Sequence, residues 1–230
     1  SDRYSEQDQQ YYIIFNMIRA ALTLFLALAT VSPLWSQSDL KKLSGSEVTA
    51  FDSKLKSRSQ ATETLIADFR QEKSMEMLKN KMVSKGVFKY KREDKIAFLY
   101  SQPMVYHMII NGQKLRILSN GKNQIIDLKN NPVMREVRSL IAASFLGNLS
   151  QVGTTYKISY FDNKGGVVVV VVPQSKQLSS VITRITIYFK GSNAEIERLK
   201  IEEGSGSVTE YIFTNQRINT DLTDEDFRIN

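Results

Sequence analysis

Beyond Ala61 the chain alternates between apolar and polar positions. In "TLIADFRQ" Leu65, Ala67 and Phe69 share one side, and Asp68, Arg70 and Glu72 take the other. "KGVFKYKR" sets Phe88 and Tyr90 against Lys89 and Lys91, and "KIAFLYSQP" puts Ile96, Phe98 and Tyr100 on a common side. A period of two is the signature of a strand with one dry face. Turn signals recur between such runs: "NG" at Asn111–Gly112 and Asn120–Gly121, "NKGG" before Val167, "KGSN" after Phe189, and "GSGS" from Gly204. Consecutive hairpins follow, about eleven strands in an antiparallel meander. One run breaks the rule: "KGGVVVVVVPQ", Lys164 to Gln174, holds six valines without alternation. One valine row can line the dry face, and the pattern assigns nothing to the other. Lys164, Pro173 and Lys176 flank the run as gatekeepers against edge pairing.

Two stretches have helical spacing instead. Val48, Phe51 and Leu55 form one stripe, with Lys54, Lys56 and Arg58 opposite, either solvated or free to dock a partner. In "NNPVMREVRSLIAASFLGNL", Asn131 can cap, Pro132 suits the first position and Gly147 can end the helix. Val133, Val137, Leu140, Ile141, Phe145 and Leu149 recur along it. This insert divides the strands into two groups. So many strands bend into a barrel or half-barrel, whose open mouth two amphipathic helices can cover. The expected fold class is mainly β (α+β), an open antiparallel barrel with short helices as a lid. No repeat or linker divides residues 37–230, which read as a single domain.

The first 36 residues differ from the rest. "MIRAALTLFLALATVSPLWSQS" runs from Arg19 through an apolar segment, Ala20 to Val31, to Pro33 and Ser36, the order of a secretory signal cleaved next to Gln37. The competing reading is a membrane anchor from Tyr11 to Val31, with Arg19 near its centre at a cost of about 3 kcal/mol. Export of residues 37–230 is the expectation. Losing residues 1–36 raises the formal net charge from +7 to +8. That balance favours acidic partners, but no stripe of basic residues interleaved with aromatics marks nucleic acid.

Catalytic sets are lacking. There is no cysteine, so disulfides, thiol chemistry and a lipid-anchored N-terminus are excluded. His107 is the single histidine and falls in a strand, "VYHMII". No serine sits in a G-x-S-x-G turn and no glycine-rich phosphate loop follows a strand. Asp221, Asp224, Glu225 and Asp226 lack the spacing and glycine of a calcium loop, and read as a capped turn. Neither enzyme activity, metal nor cofactor is expected.

Four features stand in one order: Phe69–Arg70–Gln71 on the first strand, Lys91–Arg92 ending the second, "IAFLYSQP" through Pro103, then the Asn111–Gly112 turn. With the export signal, opening helix and helical insert, the chain from about Leu40 to Phe227 resembles the LolA family. Those proteins are periplasmic carriers that move lipoproteins to the bacterial outer membrane. The resemblance implies a hydrophobic cavity for acyl chains, lined by Leu65, Ala67, Phe69, Phe88, Tyr90, Ile96, Phe98 and Tyr100. It implies a lid helix carrying Val137, Leu140, Ile141 and Phe145. It further implies that Arg92 is a latch, pointing inward and hydrogen-bonding the lid until cargo enters. Parity independently puts Gly86, Phe88, Tyr90 and Arg92 on one strand face, where an arginine needs a partner. The family usually has proline after this arginine; here Glu93 and Asp94 follow, so an exposed salt bridge at a hairpin end is the other reading of Arg92. Implied partners are lipoprotein acyl chains and an inner-membrane, ATP-driven release complex. An outer-membrane receptor is left open, and a monomer is expected. A non-carrier module that senses lipid or lipoprotein in the periplasm is the alternative on the same fold.

Overall fold

The computed structural model describes residues 40–75, 81–92, 95–129, 155–191 and 193–229. The apolar N-terminal segment, Glu93–Asp94 and the predicted insert with Val137, Leu140, Ile141 and Phe145 lie outside the described residues. Helix α1 (Gly45–Ala61) comes first. It precedes β1 (Thr64–Ser74), β2 (Met82–Lys91), β3 (Lys95–Gln102), β4 (Tyr106–Asn111), β5 (Lys114–Ser119) and β6 (Lys122–Asp127). The second group is β7 (Tyr156–Asn163), β8 (Gly166–Pro173), a short helix α2 (Lys176–Ser179), β9 (Ile182–Lys190), β10 (Glu195–Glu203) and β11 (Val208–Ile218). A 3-10 turn, Glu225–Phe227, closes the order.

All eleven strands form one sheet in the order β6-β5-β4-β3-β2-β1-β11-β10-β9-β8-β7. Two meanders thus meet where β1 pairs with β11, and the sheet stays unclosed, an open half-barrel. Turns are built from residues that tolerate positive φ. Asn120 (φ 50°) and Gly121 (φ 73°) join β5 to β6, a pair that matches the twist of a two-residue hairpin. The β7–β8 turn uses Lys164 (φ 40°) and Gly165 (φ 100°) between the paired Asn163 and Gly166. The β7 edge is covered from outside by the segment before α1: Leu43 N–H donates to Tyr160 O (3.0 Å) and Asp162 N–H to Lys41 O (2.8 Å). Among the described residues nothing pairs with the far side of β6.

The valine run resolves into two surfaces. Val169 and Val171 are buried and Val167 partly so, all facing the main core. On the outer face Val168 is just as buried, because its cross-strand neighbours are Phe161 on β7 and Tyr188 on β9. Arg198 then lies over the Tyr188 ring at 3.8 Å, continuing the row by a cation–π contact. Val170 and Val172 are half-buried. The second row is therefore covered by side chains of the adjoining strands.

Helix α1 starts at a capping box in which Ser44 and Glu47 satisfy each other's orphan N–H groups. Phe51 and Leu55 are its buried stripe, and the Phe51 ring meets Tyr160 (6.2 Å) and Phe189 (5.2 Å) edge-on. The helix thus lies over the β7–β9 half of the inner face. Its basic side is not simply solvated: Lys54 Nζ donates to Gly191 O (2.7 Å) and Arg58 to Asn193 O (3.4 Å), both beyond the end of β9.

On the opposite, outer face the C-terminal segment packs Leu222, Phe227 and Ile229 against Ala97 and Ile109. The acidic residues of "DLTDEDF" fasten it. Lys91 and Lys95 both reach Asp224 Oδ1 at 2.9 Å, and Lys89 reaches Asp226 Oδ1 at 2.6 Å. Asp226 Oδ2 accepts from Thr223 N–H (2.9 Å), the capped turn expected of this segment. The lysine hydrogen bonds hold the Asp224 carboxyl at about 2, well below its ordinary 3.8. Burial, the largest single influence on Asp226, pushes its carboxyl up; Lys89 and Thr223 together outweigh it and keep it low.

Since folding depresses these two acids, their contribution is present above pH 3.8 and is lost as pH falls toward about 2. Amide exchange at Leu222 and Phe227 is expected to rise, relative to β1–β3, on acidification from about pH 6 to about pH 2.5. Equal protection of tail and strands at both pH values would show that the ion pairs do not hold the tail.

Candidate functional site

Alternation along β1–β3 brings the expected wall residues to one side. Register places Leu65 opposite Tyr90, Ala67 opposite Phe88, and Phe88 opposite Phe98; Ile96 pairs with Tyr90. Leu65, Ala67, Phe69, Phe88, Tyr90, Ile96 and Phe98 are all buried, and Tyr100 is partly so. Their rings touch one another: Phe69 lies 5.7 Å from Phe98 and 4.9 Å from Tyr100, and Phe88 lies 4.9 Å from Phe98. Edge-to-face pairs of this kind are worth about 1 kcal/mol beyond their area.

Gly86 makes that arrangement possible. It sits between Phe69 and Tyr100 in the register, and a Cβ there would be 2.7 Å from Phe69 Cζ and would collide with the Leu99 carbonyl. The bare backbone lets the Phe69 ring lie across β2. A side chain at this point would push it off.

The wall extends further than the sequence reading placed it. Tyr211 and Phe213 on β11 join the same cluster, at 5.5 Å from Phe98 and 5.8 Å from Phe88. Tyr106, Met108 and Ile110 continue it onto β4, and Val169, Ile185, Ile187 and Phe189 carry it to the other meander. Thr209, Tyr211 and Phe213 alternate in "VTEYIFTN" as clearly as the residues of β1 do. What the sequence lacked was the pairing of β11 with β1, over 140 residues apart at Phe69 and Phe213.

Arg92 lies just past β2. Its backbone N–H donates to Glu63 O (2.8 Å), and its Nη2 donates to three carbonyls: Ser59 (3.1 Å), Gln60 (2.8 Å) and Thr62 (3.0 Å). Nε is 3.0 Å from Glu63 Oε2, an ion-pair distance, but its N–H is not aligned on that oxygen as a hydrogen bond. Ser59 and Gln60 are in the last turn of α1 and Thr62 is its C-cap. A helix leaves its last four carbonyls without internal donors. Here Arg58 O accepts from Thr62 Oγ1 (2.8 Å), Ser59 O from Thr62 N–H and Arg92, Gln60 O from Arg92, and Ala61 O from Asn219 Nδ2 (2.9 Å). The guanidinium also faces the negative end of the helix dipole. The helix that Arg92 grips is therefore the opening one.

Other candidates lie apart from this face. His107 is on the outer side of β4, and burial, then Arg116, lower its pKa. Among the described residues no group of His, Asp and Glu could hold a metal ion. A shallow cleft of about 410 Å³, lined by Glu63, Thr64 and Asn219–Leu222, lies beside the end of α1.

The architecture is thus a half-open antiparallel sheet with an apolar inner face, bordered by a helix whose C-terminus Arg92, Thr62 and Asn219 cap. Residues 60–230 match the family described as outer membrane lipoprotein carrier protein LolA, and the chain belongs to that family. Solved structures of similar shape include a LolA superfamily protein from Nitrosomonas europaea, 10% identical with a TM-score of 0.43, covering 78% of this chain and 96% of that one. The MucA/MucB complex of Pseudomonas aeruginosa is 10% identical with a TM-score of 0.47, over 79% of this chain and 60% of that one. Lipoprotein LppX from Mycobacterium tuberculosis is 9% identical with a TM-score of 0.42, over 77% and 100%. Among curated proteins no sequence matches this chain.

Gly86→Ala is expected to destabilise the fold by about 1–3 kcal/mol, the usual cost of forcing atoms into a filled site. It should lower the urea midpoint with an unchanged m-value. A midpoint equal to wild type would mean that the Phe69 ring does not depend on the bare backbone.

Proposed function

We propose that this protein is a periplasmic carrier which binds the acyl chains of lipoproteins on its inner sheet face and shuttles them to the outer membrane. The observation that carries this reading is the apolar wall itself: one face of an open sheet, aromatic and aliphatic across both meanders, bordered by a helix whose C-terminus is gripped by Arg92. Family membership supports it. Exposure of acyl chains to water costs about 0.8 kcal/mol per methylene, so lipid tails cannot leave a bilayer unaided. The carrier would receive them from an inner-membrane, ATP-driven release complex and deliver them to the outer membrane, with or without a receptor there.

Delivery requires that the wall not hold its cargo too tightly. In the cargo-free protein the ring–ring contacts of Phe69, Phe88, Phe98 and Tyr211 satisfy the wall from within. Cargo would have to displace α1 from the part of the face it covers. Arg92 stabilises the covered state by fixing the end of α1, and so competes with cargo. In this reading the arginine is a latch on the opening helix.

Two measurements test the proposal. A fluorescent apolar probe should bind in the micromolar range and be displaced by a triacylated peptide; binding without displacement would point to another ligand. Arg92→Leu should leave the sheet folded yet release a bound lipopeptide about ten-fold more slowly. That follows if the half-exposed cap contributes on the order of 1.4 kcal/mol to the covered state. Equal release rates would remove the latch.

A further inference from the structure

The inner face changes character along the strands. Near Arg92 it is aromatic and aliphatic, but at the opposite end, where β1 finishes, polar groups appear on the same side. Register puts Lys73 on β1 opposite Thr209 on β11, two residues beyond Tyr211. Glu203 Oε1 accepts from Lys73 Nζ (3.1 Å) and from Thr209 Oγ1 (3.2 Å). The charges at this rim are thus spent on each other. Lys73, the inward cation of β1 at this end, is neutralised by Glu203.

Next to that pair, Tyr100 from β3 and Tyr211 from β11 straddle the Phe69 ring, 4.9 and 5.8 Å from it, and their hydroxyls meet at 2.9 Å. A phenol has a single O–H donor. One proton is used between the two oxygens, and the other has no acceptor among the described residues. Burial raises both pKa values, Tyr211 to about 12 and Tyr100 further, so neither ionises at working pH. Each ring is only partly buried. The arrangement is a neutral hydrogen-bond donor at the edge of an apolar wall, beside a self-neutralised ion pair. A neutral donor in such apolar surroundings suits an uncharged acceptor that arrives attached to hydrocarbon.

We infer that the Tyr100–Tyr211 hydroxyl pair is a recognition site for the ester carbonyl of a bound acyl chain, fixing how deep the chain lies along the wall. The inference rests on the proposed carrier function and adds to it a ligand chemistry: carboxylic ester in preference to bare hydrocarbon or ether. The carbonyl accepts the free phenolic proton, and the tail runs from there over Phe69 toward the Arg92 end.

The test compares two short-chain probes on the full protein, a bis-octanoyl ester of a glyceryl-cysteine dipeptide and its bis-octyl ether analogue. Wild type should bind the ester about five-fold more tightly than the ether, the range of one net hydrogen bond. The double variant Tyr100→Phe/Tyr211→Phe, which keeps both rings and removes both O–H donors, should bind both probes equally, at the ether's affinity. Because ester and ether are compared on the same variant, a general loss of folding cannot mimic this result. If both probes bind wild type equally, or the ester preference survives in the double variant, the site is overturned while the carrier reading stands. If neither probe binds wild type, the carrier reading falls and the site with it.

Discussion

The pairing of the first strand with the last is the constraint on which the rest of this protein depends. β1 lies between β2 and β11, with unbroken register to β2 from Thr64 through Lys73. Along it, alternation sends Leu65, Ala67 and Phe69 inward. A shift by one residue on either side would turn this set outward and bring Ile66, Asp68 and Arg70 to the dry face. Each meander is a chain of local hairpins, but only the β1–β11 contact joins their apolar rows into one wall. The same contact brings Asn219, just past β11, to the end of α1, where its side chain donates to Ala61 O and accepts from Glu63 N–H.

Much of this was legible in the sequence, for a physical reason. Strands with one wet and one dry face must alternate, and asparagine–glycine pairs mark the turns that hairpins require, so strand number and the faces of β1 to β3 could be read directly. The valine run could not be, since it carries no alternation. Its outer row is buried by Phe161 and Tyr188, neighbours that only the register supplies. Tyr211 and Phe213 had the right spacing, yet nothing local ties them to Phe69 or Phe88. Arg92 was identified from strand parity and family pattern together. Its acceptors lie 30 to 33 residues upstream, on a helix that sequence placed but could not aim.

Charge is used in this fold chiefly to hold ends in place. Lys54 and Arg58 tie the middle of α1 to the chain beyond β9, Arg92 caps its C-terminus, and three lysines of β2 and β3 fasten the acidic tail to the outer face. These are exposed or half-exposed contacts, individually weak. They act where backbone groups or tail residues would otherwise be loose, and they leave the inner wall free of net charge. For a carrier of the kind proposed, that division would let area set the affinity and a few ionic contacts set the coverings.

The two borders of the sheet are unequal. Lys41 to Leu43 hydrogen-bond to Tyr160 and Asp162 and obstruct that border near the end of β7, whereas β6, with Lys122, Asn123 and Asp127 on it, has no described neighbour on its far side. An unclosed sheet with two bare borders can stack head to tail without limit, and fibres grow that way. With that border obstructed, the border of β6 is the one left free for strand addition among the described residues. Two copies meeting there would use up both available rows and end the growth at a two-fold pair. The few residues ahead of α1 therefore favour a finite pair over an open stack wherever two such sheets meet by their borders.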